Sequence, residues 1–319
     1  MRRQVLLISL LVFSLLFVGI ISCTNRGNSS STELRIGYIP IIDTLPLYVA
    51  VEKGYFAEQG LKVSVTPMNG GPMILEALGS GNLEIGFSNV VTLLVARSKG
   101  LQFQTVGAAV YETDASRAHA LLVRDNSPIN SPADLNGKRI AINAQHNIDQ
   151  FVMNRYLEMN GLPYNAVSYY EVPHAQMEAL LAKGEVDATI SVEPYLTSAL
   201  TGKGIKLLDY EYTKVFPTLL VASYIAPQEW LQKHGKEIQG FQEAMRKARE
   251  FVAQHESEAR SLLPKYTRID EGTAAKVRLP VFKDEVSSDQ LQMINAELLH
   301  QKLIDHASAV EGALYGGDK

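Results

Sequence analysis

The chain has 319 residues, of which 46% are hydrophobic and 20% charged, and its formal net charge is -4. This length and composition predict two globular lobes, each with a sizeable core. The slight acid excess, with no cluster of Lys and Arg, excludes the electrostatic footprint of a nucleic-acid-binding protein. We therefore expect no nucleic-acid partner.

The N-terminal segment has the pattern of an export signal. Arg2 and Arg3 precede an apolar run from Val5 to Ile21, the charged and apolar regions of a secretory signal peptide. The run ends in Ile-Ile-Ser-Cys, which resembles a bacterial lipobox, so Cys23 is predicted to carry lipid after removal of residues 1–22. An uncleaved membrane anchor and an ordinary signal peptide are the alternatives.

Residues 23–33 (CTNRGNSSSTE) have the composition of a flexible tether. The signal and the lipid together predict an extracytoplasmic protein anchored to the cell membrane, facing the periplasm or the cell surface. Because Cys23 is the only cysteine, we expect no disulfide framework, cysteine-rich metal site or cysteine nucleophile in the folded body.

Strand and helix patterns alternate through the first half of the chain. Three short, apolar, β-prone segments are predicted strands: Leu34–Tyr38, Leu61–Thr66 and Leu83–Phe87. Each is followed by a predicted helix, at 47–53, 73–78 and 90–100. The repeating unit is therefore a strand followed by a helix.

The second half repeats this order. Predicted strands are at 138–143, 167–172 and 186–192, and predicted helices are at 149–161, 175–184 and 193–204. Arg35 corresponds to Arg139 and Gly81 to Gly184, with nearly equal offsets of 104 and 103 residues. We therefore predict two similar α/β lobes.

Two stretches, 106–124 and 216–226, are predicted to cross between the lobes as strands. Amphipathic helices are predicted after Pro227, near 229–254 and 288–304, packed on the first lobe. The predicted domains are the first lobe with the C-terminal helices, 34–112 and 221–319, and the second lobe, 113–220. Ligands bind outside the carboxyl ends of parallel strands, so the loops there are predicted to face each other across a cleft.

Four segments carry a family resemblance: GYIPIIDTLPLYVAVEKGYFAEQGLKVSV, ALGSGNLEIGFSN, INSPADLNGKRIAI and ALLAKGEVDATISVEPYLTSAL. Together they resemble the solute-binding proteins of bacterial ABC importers for nitrate, alkanesulfonates and taurine, a superfamily that includes binders of thiamine pyrimidine precursors. The resemblance implies a type II periplasmic-binding-protein fold, with two Rossmann-like lobes joined by two crossing strands and a C-terminal helical region. It also implies an ABC permease and its ATPase as partners, and a monomeric protein without a cofactor.

The first lobe offers six candidate ligand contacts: Asp43, Thr44, Gly70, Gly71, Ser88 and Asn89. Asp43 and Thr44 follow the first strand, where capping of the next helix is the alternative role. The backbone N–H groups of the two glycines can face an anion, and a plain turn is the alternative. Ser88 and Asn89 occupy an N-cap position, from which a side chain facing the cleft can also bind a ligand.

The second lobe offers His146, Asn147, Glu193 and Tyr195. His146 can pair with an anion or titrate near neutral pH, and an exposed loop histidine is the alternative. Glu193 follows a buried strand, where a helix N-terminus favours an acid. As a ligand contact it accepts hydrogen bonds from an amine or amidine edge and disfavours a simple anion such as nitrate. Tyr195 is predicted to supply an aromatic wall, with a core position as the alternative.

Four further residues are candidate ligand contacts, with a core or surface role as the main alternative: Arg117, His174, Tyr38 and Tyr111. The sequence contains no dinucleotide, P-loop, hydrolase-elbow or zincin motif. No catalytic residue, cofactor or metal site is therefore expected.

The predicted function is capture of a small organic solute between the lobes and its delivery to a permease. The solute is expected to be sulfonate-like or taurine-like, or similar to a pyrimidine or thiamine precursor. The alternatives are a pyrimidine-forming enzyme of the same superfamily and a ligand-sensing surface lipoprotein that is not coupled to transport.

Overall fold

The computed structural model describes residues 33–307 and 310–316. The predicted signal peptide and Cys23 lie outside the described residues. In the described part of the chain, no helix is long and apolar enough to cross a membrane. The first strand begins at Glu33, the last residue of the predicted tether, because Glu33 already pairs with Lys62 of the neighbouring strand.

The strands of the described chain are, in order, β1 (Glu33–Tyr38), β2 (Lys62–Pro67), β3 (Ile85–Asn89), β4 (Phe103–Thr113), β5 (His119–Arg124), β6 (Arg139–Ile142), β7 (Ser168–Glu171), β8 (Ala188–Val192), β9 (Ile205–Asp209), β10 (Thr218–Pro227) and β11 (Val281–Lys283).

The α-helices are α1 (Leu45–Glu52), α2 (Tyr55–Glu58), α3 (Gly71–Gly79), α4 (Val90–Ser98), α5 (Ile148–Met159), α6 (His174–Lys183), α7 (Tyr195–Thr201), α8 (Glu211–Val215), α9 (Gln228–Leu231), α10 (Gly235–Gln254), α11 (Glu256–Arg260), α12 (Leu263–Thr267), α13 (Glu271–Ala274) and α14 (Ser288–His300). Short 3-10 helices lie at Ile42–Thr44, Pro132–Leu135, Tyr164–Ala166 and Glu311–Ala313.

The strands form two sheets with the same internal plan. The first sheet has the order β11-β4-β10-β3-β1-β2, and the second has the order β7-β6-β8-β5-β9. In the first, β2, β1 and β3 are parallel and β10 is antiparallel to β3; in the second, β7, β6 and β8 are parallel and β5 is antiparallel to β8. The prediction of two similar α/β lobes is confirmed. We call the lobe built on each sheet the first lobe and the second lobe.

An arginine–acid pair recurs at the same place in both lobes. Arg35 in β1 binds the carboxylate of Glu84, and Arg139 in β6 binds that of Asp187. Each guanidinium also donates to the carbonyl of the glycine three residues before the acid, at 2.7 and 2.8 Å respectively. The Gly-x-x-acid motif occurs once in each lobe. Through it, the first strand of each lobe is held against the loop that leads into the third strand.

The segments 114–118 and 210–217 connect the two sheets. The prediction of one crossing strand over 106–124 is wrong, because β4 and β5 are separated by a turn. Ser116 makes this turn by accepting a 2.9 Å hydrogen bond from the backbone N–H of Thr113. Arg117 therefore lies in the turn, where it pairs with Asp114 on the surface.

The strands that lead to these connections belong to the first sheet over their whole length. β4 and β10 pair as far as Thr113 and Thr218. The predicted lobe boundaries, 112/113 and 220/221, therefore fall inside β4 and β10.

The long helix α10 packs on α1 of the first lobe. Its buried face recurs at helical spacing: Ile238, Phe241, Ala244, Met245, Ala248 and Val252. The Phe241 ring stacks on Phe56 and meets Tyr224 edge to face, at centroid distances of 5.9 and 5.2 Å. The predicted packing of this C-terminal helix on the first lobe is confirmed.

Candidate functional site

The carboxyl ends of the parallel strands of the two lobes meet directly. The backbone N–H of Ile42, just after β1, donates a 2.9 Å hydrogen bond to the carbonyl of Glu193, just after β8. The Tyr195 hydroxyl donates to the carbonyl of Pro40 at 3.0 Å. These bonds join one lobe to the other at the ends of the strands.

A cavity of about 30 Å³, here called the deep cavity, lies at this junction. It has space for a group about the size of one or two water molecules. Both lobes contribute polar side chains to its wall: Asp43, Asn89, His119, Asn143, Asn147, Asp149 and His174. It therefore occupies the strand-end position at which α/β sheets bind ligands.

A larger cavity of about 740 Å³, here called the outer cavity, also lies between the lobes. The first lobe supplies an apolar wall: Met73, Leu75, Val95, Ala96, Leu101 and Phe103. The second lobe supplies residues 143–146 and 171–173. Asn143 belongs to the walls of both cavities. The volume lies within the range of roughly 300–1,000 Å³ that is usual for small-molecule sites.

Asp43 is the most unusual group of the deep cavity. It lies in the 3-10 turn between β1 and α1 and is only 2% exposed. Its Oδ1 accepts no hydrogen bond from any described residue. Burial raises the pKa of Asp43 to about 6; the positive charge of His119 opposes this rise, and nearby Glu112 and Asp149 add to it. A buried carboxylate with a free oxygen in a cavity wall is a natural acceptor for a ligand N–H group.

Thr44 has a structural role. Its hydroxyl contacts the carbonyls of Ile39 and Ile41, both at 2.9 Å, and the hydroxyl of Tyr48 at 2.7 Å. These bonds shape the turn that carries Asp43. Thr44 thus positions a cavity residue, and it lies in the wall of neither cavity.

Gly70 and Gly71 serve different contacts. A Cβ built on Gly70 would lie 3.5 Å from Asn143 Nδ2, so this glycine touches the second lobe at the outer cavity. A Cβ on Gly71 would lie 2.4 Å from Ser88 Oγ, so only glycine lets the start of α3 sit on the end of β3. Ser88 is fully buried beneath it.

Asn89 and Asn147 cap equivalent helices in the two lobes. Asn89 Oδ1 accepts a 2.8 Å hydrogen bond from the Thr92 N–H at the start of α4, as predicted. Asn147 Oδ1 accepts one of 3.2 Å from the Gln150 N–H at the start of α5. Both caps also face the deep cavity. His146, the residue before the second cap, is exposed and lines the outer cavity.

Glu193 lies in the wall of neither cavity. Its carboxylate accepts hydrogen bonds from the Thr197 N–H at 3.1 Å, the Thr197 hydroxyl at 2.8 Å and the Arg278 N–H at 3.2 Å. Burial raises the pKa of Glu193, and the bonds from Thr197 and Arg278 oppose the rise. The structure shows the helix-capping alternative.

Tyr195 and His174 lie together beside the deep cavity. Their rings are nearly parallel, with centroids 6.3 Å apart, and His174 lines the deep cavity. His174 Nδ1 has no hydrogen-bond partner among the described residues. Burial lowers the pKa of His174 to about 4, so this imidazole is neutral near pH 7. Tyr38 and Tyr111 are core residues.

A buried polar cluster behind the deep cavity is absent from the sequence predictions. His119 Nδ1 lies 3.3 Å from Glu112 Oε2, and its ring stacks on Tyr212 at 4.3 Å. The Tyr212 hydroxyl donates to Asp149 Oδ1 at 2.7 Å. Burial alone would lower the pKa of His119, but the hydrogen bond and charge of Glu112 raise it to about 9. The sequence feature that could have indicated this cluster is the segment YETDASRAHALLV, in which Glu112 and His119 adjoin apolar strands.

One group among the described residues has the spacing of metal ligands. Atoms of Glu158, Glu297 and His300 lie within 4.8 Å of one another near the protein surface. Arg155 already pairs with Glu158, and none of the three lines either cavity.

Comparison with known proteins agrees with this geometry. Residues 41–259 match the family model described as NMT1/THI5 like. A putative aliphatic sulfonates-binding protein of Escherichia coli (strain K12) is 28% identical over 72% of this chain and 70% of its own length. The 4-amino-5-hydroxymethyl-2-methylpyrimidine phosphate synthase of Uromyces fabae is 25% identical over 63% of this chain and 61% of its own length. Less than two thirds of that fungal protein is therefore matched.

Among solved structures, the periplasmic aliphatic sulphonate binding protein SsuA from Escherichia coli has a TM-score of 0.72 at 22% identity. The likeness covers 89% of this chain and 92% of that one. The predicted periplasmic-binding-protein fold is thus confirmed. Because the family model spans more than half of its length, the chain belongs to the NMT1/THI5-like family.

Proposed function

We propose that this protein is the extracytoplasmic solute-binding component of an ABC importer. It captures a small organic solute between its lobes and delivers it to a membrane permease and its ATPase. The observation that carries the proposal is that both lobes line the deep and outer cavities. A site assembled from two lobes exists only when they are together, which suits a cycle of capture and release.

The proposed mechanism is closure. Solute enters between separated lobes, and the connecting segments 114–118 and 210–217 absorb the rotation that brings the lobes together. Contacts such as Ile42–Glu193 and Tyr195–Pro40 then form beside the solute. Solute favours the closed form to the extent that it binds that form more tightly, and the permease recognises the closed form.

The proposed ligand contacts are the predicted residues that line the cavities: Asp43, Gly70, Asn89, His146 and Asn147. The other predicted site residues support them. The names of the relatives favour two solute classes, one sulfonate-like or taurine-like and one similar to a pyrimidine or thiamine precursor.

The segment before β1 completes the proposal. We propose that residues 1–22 direct export, that Cys23 carries lipid, and that residues 23–32 tether the monomeric body to the membrane. Mass spectrometry of the membrane fraction checks this. Lipid on Cys23 supports the anchor, and an N-terminus that begins elsewhere contradicts it.

Binding without catalysis is part of the proposal. Relatives named as synthases make conversion of the solute the competing hypothesis. The two differ in what leaves the protein: a binding protein releases its solute unchanged. Solute recovered after denaturation is therefore compared with the starting compound, and a new product would contradict the binding role.

A thermal-shift screen tests the function. The compounds are nitrate, bicarbonate, alkanesulfonates, taurine, aromatic carboxylates and pyrimidines. A solute that binds only the folded protein stabilises it by about 2.7 kcal/mol at a hundredfold excess over Kd. We expect a narrow set of stabilising solutes whose uptake into permease-containing vesicles requires this protein. Binding that leaves uptake unchanged would support a sensor.

A further inference from the structure

The polar groups of the deep cavity are unequally occupied. Asp149 accepts hydrogen bonds from the Tyr212 hydroxyl at 2.7 Å and the Asn143 N–H at 3.2 Å. The capping oxygens of Asn89 and Asn147 are taken by helix N–H groups. Within residues 33–307 and 310–316, two buried atoms of this cavity have no protein partner: Asp43 Oδ1 and His174 Nδ1.

An ionised carboxylate oxygen only accepts, whereas Nδ1 of a neutral imidazole accepts in one tautomer and donates in the other. A ligand group that carries two or more N–H donors can satisfy both atoms at once. Leaving a buried acceptor unsatisfied costs about 1–3 kcal/mol, more when it is charged. Asp43 Oδ1 therefore selects a donor head group, and His174 Nδ1 accepts a second N–H in the tautomer that leaves this nitrogen unprotonated.

The charges around the deep cavity point the same way. No Lys or Arg of the described chain lines it, whereas Asp43 and Asp149 do. His119 also lines the cavity and is protonated near pH 7, but its positive charge is paired with the carboxylate of Glu112. An anionic head group would lie against the carboxylates of Asp43 and Asp149 with no unpaired cation in the cavity wall, which is unfavourable.

The outer cavity selects for a different part of the solute. Its first-lobe wall combines apolar side chains along α3, α4 and the chain that leads into β4 with the polar residues Glu76, Thr92 and Lys99. Met73 and Leu101 in this wall are about half exposed, at 47% and 50%. Apolar surface of this kind gains free energy when a hydrocarbon or aromatic group covers it. Asn143 lies in the wall of both cavities, so the two cavities are neighbours.

We propose, on the basis of the solute-binding function above, that the solute is an organic cation with an apolar body. An amine, amidine or guanidine head enters the deep cavity and donates to Asp43 and His174. The apolar body occupies the outer cavity. Asp43 is then the residue that determines specificity for charge.

Protonation of Asp43 gives the proposal a pH signature. In the deep cavity Asp43 shares the wall with His119, Asp149 and His174, and Glu112 lies behind His119. On its other side, a cavity of about 10 Å³ brings it near Tyr224, Arg249, Lys283 and Asp284. The pKa of Asp43 is about 6, that of His119 about 9 and that of His174 about 4. Between pH 7 and pH 5, the Asp43 carboxylate takes up a proton and loses its negative charge, whereas His119 stays protonated and His174 stays neutral. The affinity for a cationic solute therefore falls over this range.

The test compares solutes that differ only in the head group. Hexylamine is titrated against hexane-1-sulfonate, and 2-phenylethylamine against 2-phenylethanesulfonate, by calorimetry at pH 7.5. We expect each amine to bind at least tenfold more tightly than its sulfonate partner. Affinity of the alkylamines should rise about fourfold per methylene from propylamine to hexylamine, as burial of apolar surface predicts.

Two variants locate the effect. Asp43→Asn should weaken both amines at least tenfold, leave the sulfonates no weaker, and abolish the pH dependence. Asp305→Asn is the matched control, because Asp305 is an exposed carboxylate that lines neither cavity; its affinities should stay within twofold. Both variants are first checked for wild-type thermal unfolding.

The outcomes separate this proposal from the function on which it rests. Sulfonates that bind as tightly as the amines overturn the cation assignment and leave the solute-binding function standing. An Asp43→Asn variant that binds amines within twofold of the wild type also overturns the cation assignment and leaves the solute-binding function standing. If no organic solute of the screen binds, the proposed function itself is wrong.

Discussion

The backbone N–H of Ile42 donates a 2.9 Å hydrogen bond to the carbonyl oxygen of Glu193. Ile42 follows the first strand of one lobe and Glu193 the third parallel strand of the other, so this bond joins the strand ends across the cleft. A second bond, from Tyr195 to Pro40, lies beside it. Small changes at such contacts are expected to shift the balance between open and closed forms.

The Tyr195 hydroxyl tests this directly. Tyr195→Phe removes its 3.0 Å bond to the Pro40 carbonyl. A hydrogen bond contributes about 1 kcal/mol, so we expect solute affinity to fall about fivefold in calorimetry. Tyr169→Phe is the matched control, because it removes a 2.8 Å bond to Asn154 inside the second lobe. Equal losses in both variants would contradict a role for Tyr195 in closure.

Glu193 is expected to act on stability and not on solute choice. Its carboxylate accepts from Thr197 and from the Arg278 N–H, and a glutamine amide retains only one accepting oxygen. Glu193→Gln should therefore lower the free energy of unfolding by about 1–2 kcal/mol. Affinities for amine and neutral solutes should change by the same factor. A loss confined to amines would restore Glu193 as a ligand contact.

Glu211 should make the stability of the folded protein depend on pH. Both carboxylate oxygens are buried without a hydrogen-bond partner among the described residues, and burial raises the pKa of Glu211 to about 8. Because the folded pKa exceeds the ordinary value of 4.5, the folded state prefers the proton, and stability falls as pH rises from about 4.5 to 8.

Glu211→Gln removes this ionisation. In urea unfolding the variant should be close to the wild type at pH 5 and more stable at pH 8, by on the order of 1–3 kcal/mol. Asp305→Asn, which changes an exposed carboxyl in the same way, is the control and should track the wild type. A difference that does not change with pH would contradict the burial effect.

The two cleft glycines are expected to respond differently to a methyl group. Gly71→Ala places Cβ 2.4 Å from Ser88 Oγ, and overpacking of this kind costs about 1–3 kcal/mol. Gly70→Ala places Cβ in ordinary contact, 3.5 Å from Asn143 Nδ2. Thermal unfolding should show a loss for Gly71→Ala alone. Equal stability of the two variants would mean that α3 shifts freely on β3.

The lobe architecture was predictable because its signals are local and repeated. Strand periodicity, the glycine after each helix and the offset between Arg35 and Arg139 all lie within short stretches of the sequence. The turn after β4 was missed because residues 114–118 contain neither glycine nor proline. Ser116 supplies the turn by bonding to Thr113 instead.

The roles of the site residues were harder to predict, because the hydrogen-bond partners of their side chains lie far away in the sequence. Asp43 and Glu193 both read as acids that follow a buried strand. Glu193 is satisfied by the Arg278 N–H, 85 residues further along the chain, whereas Asp43 keeps a free oxygen. The pairing of Glu112 with His119 likewise depends on a turn that sequence patterns did not reveal.

Small-angle scattering with and without solute tests lobe closure most directly. The protein is measured alone and with a saturating concentration of the tightest solute from the screen, with binding verified by calorimetry in the same buffer. We expect solute to lower the radius of gyration, and the solute-free Tyr195→Phe variant to be more extended than the solute-free wild type. A bound solute that leaves the radius of gyration of both proteins unchanged would contradict capture by closure.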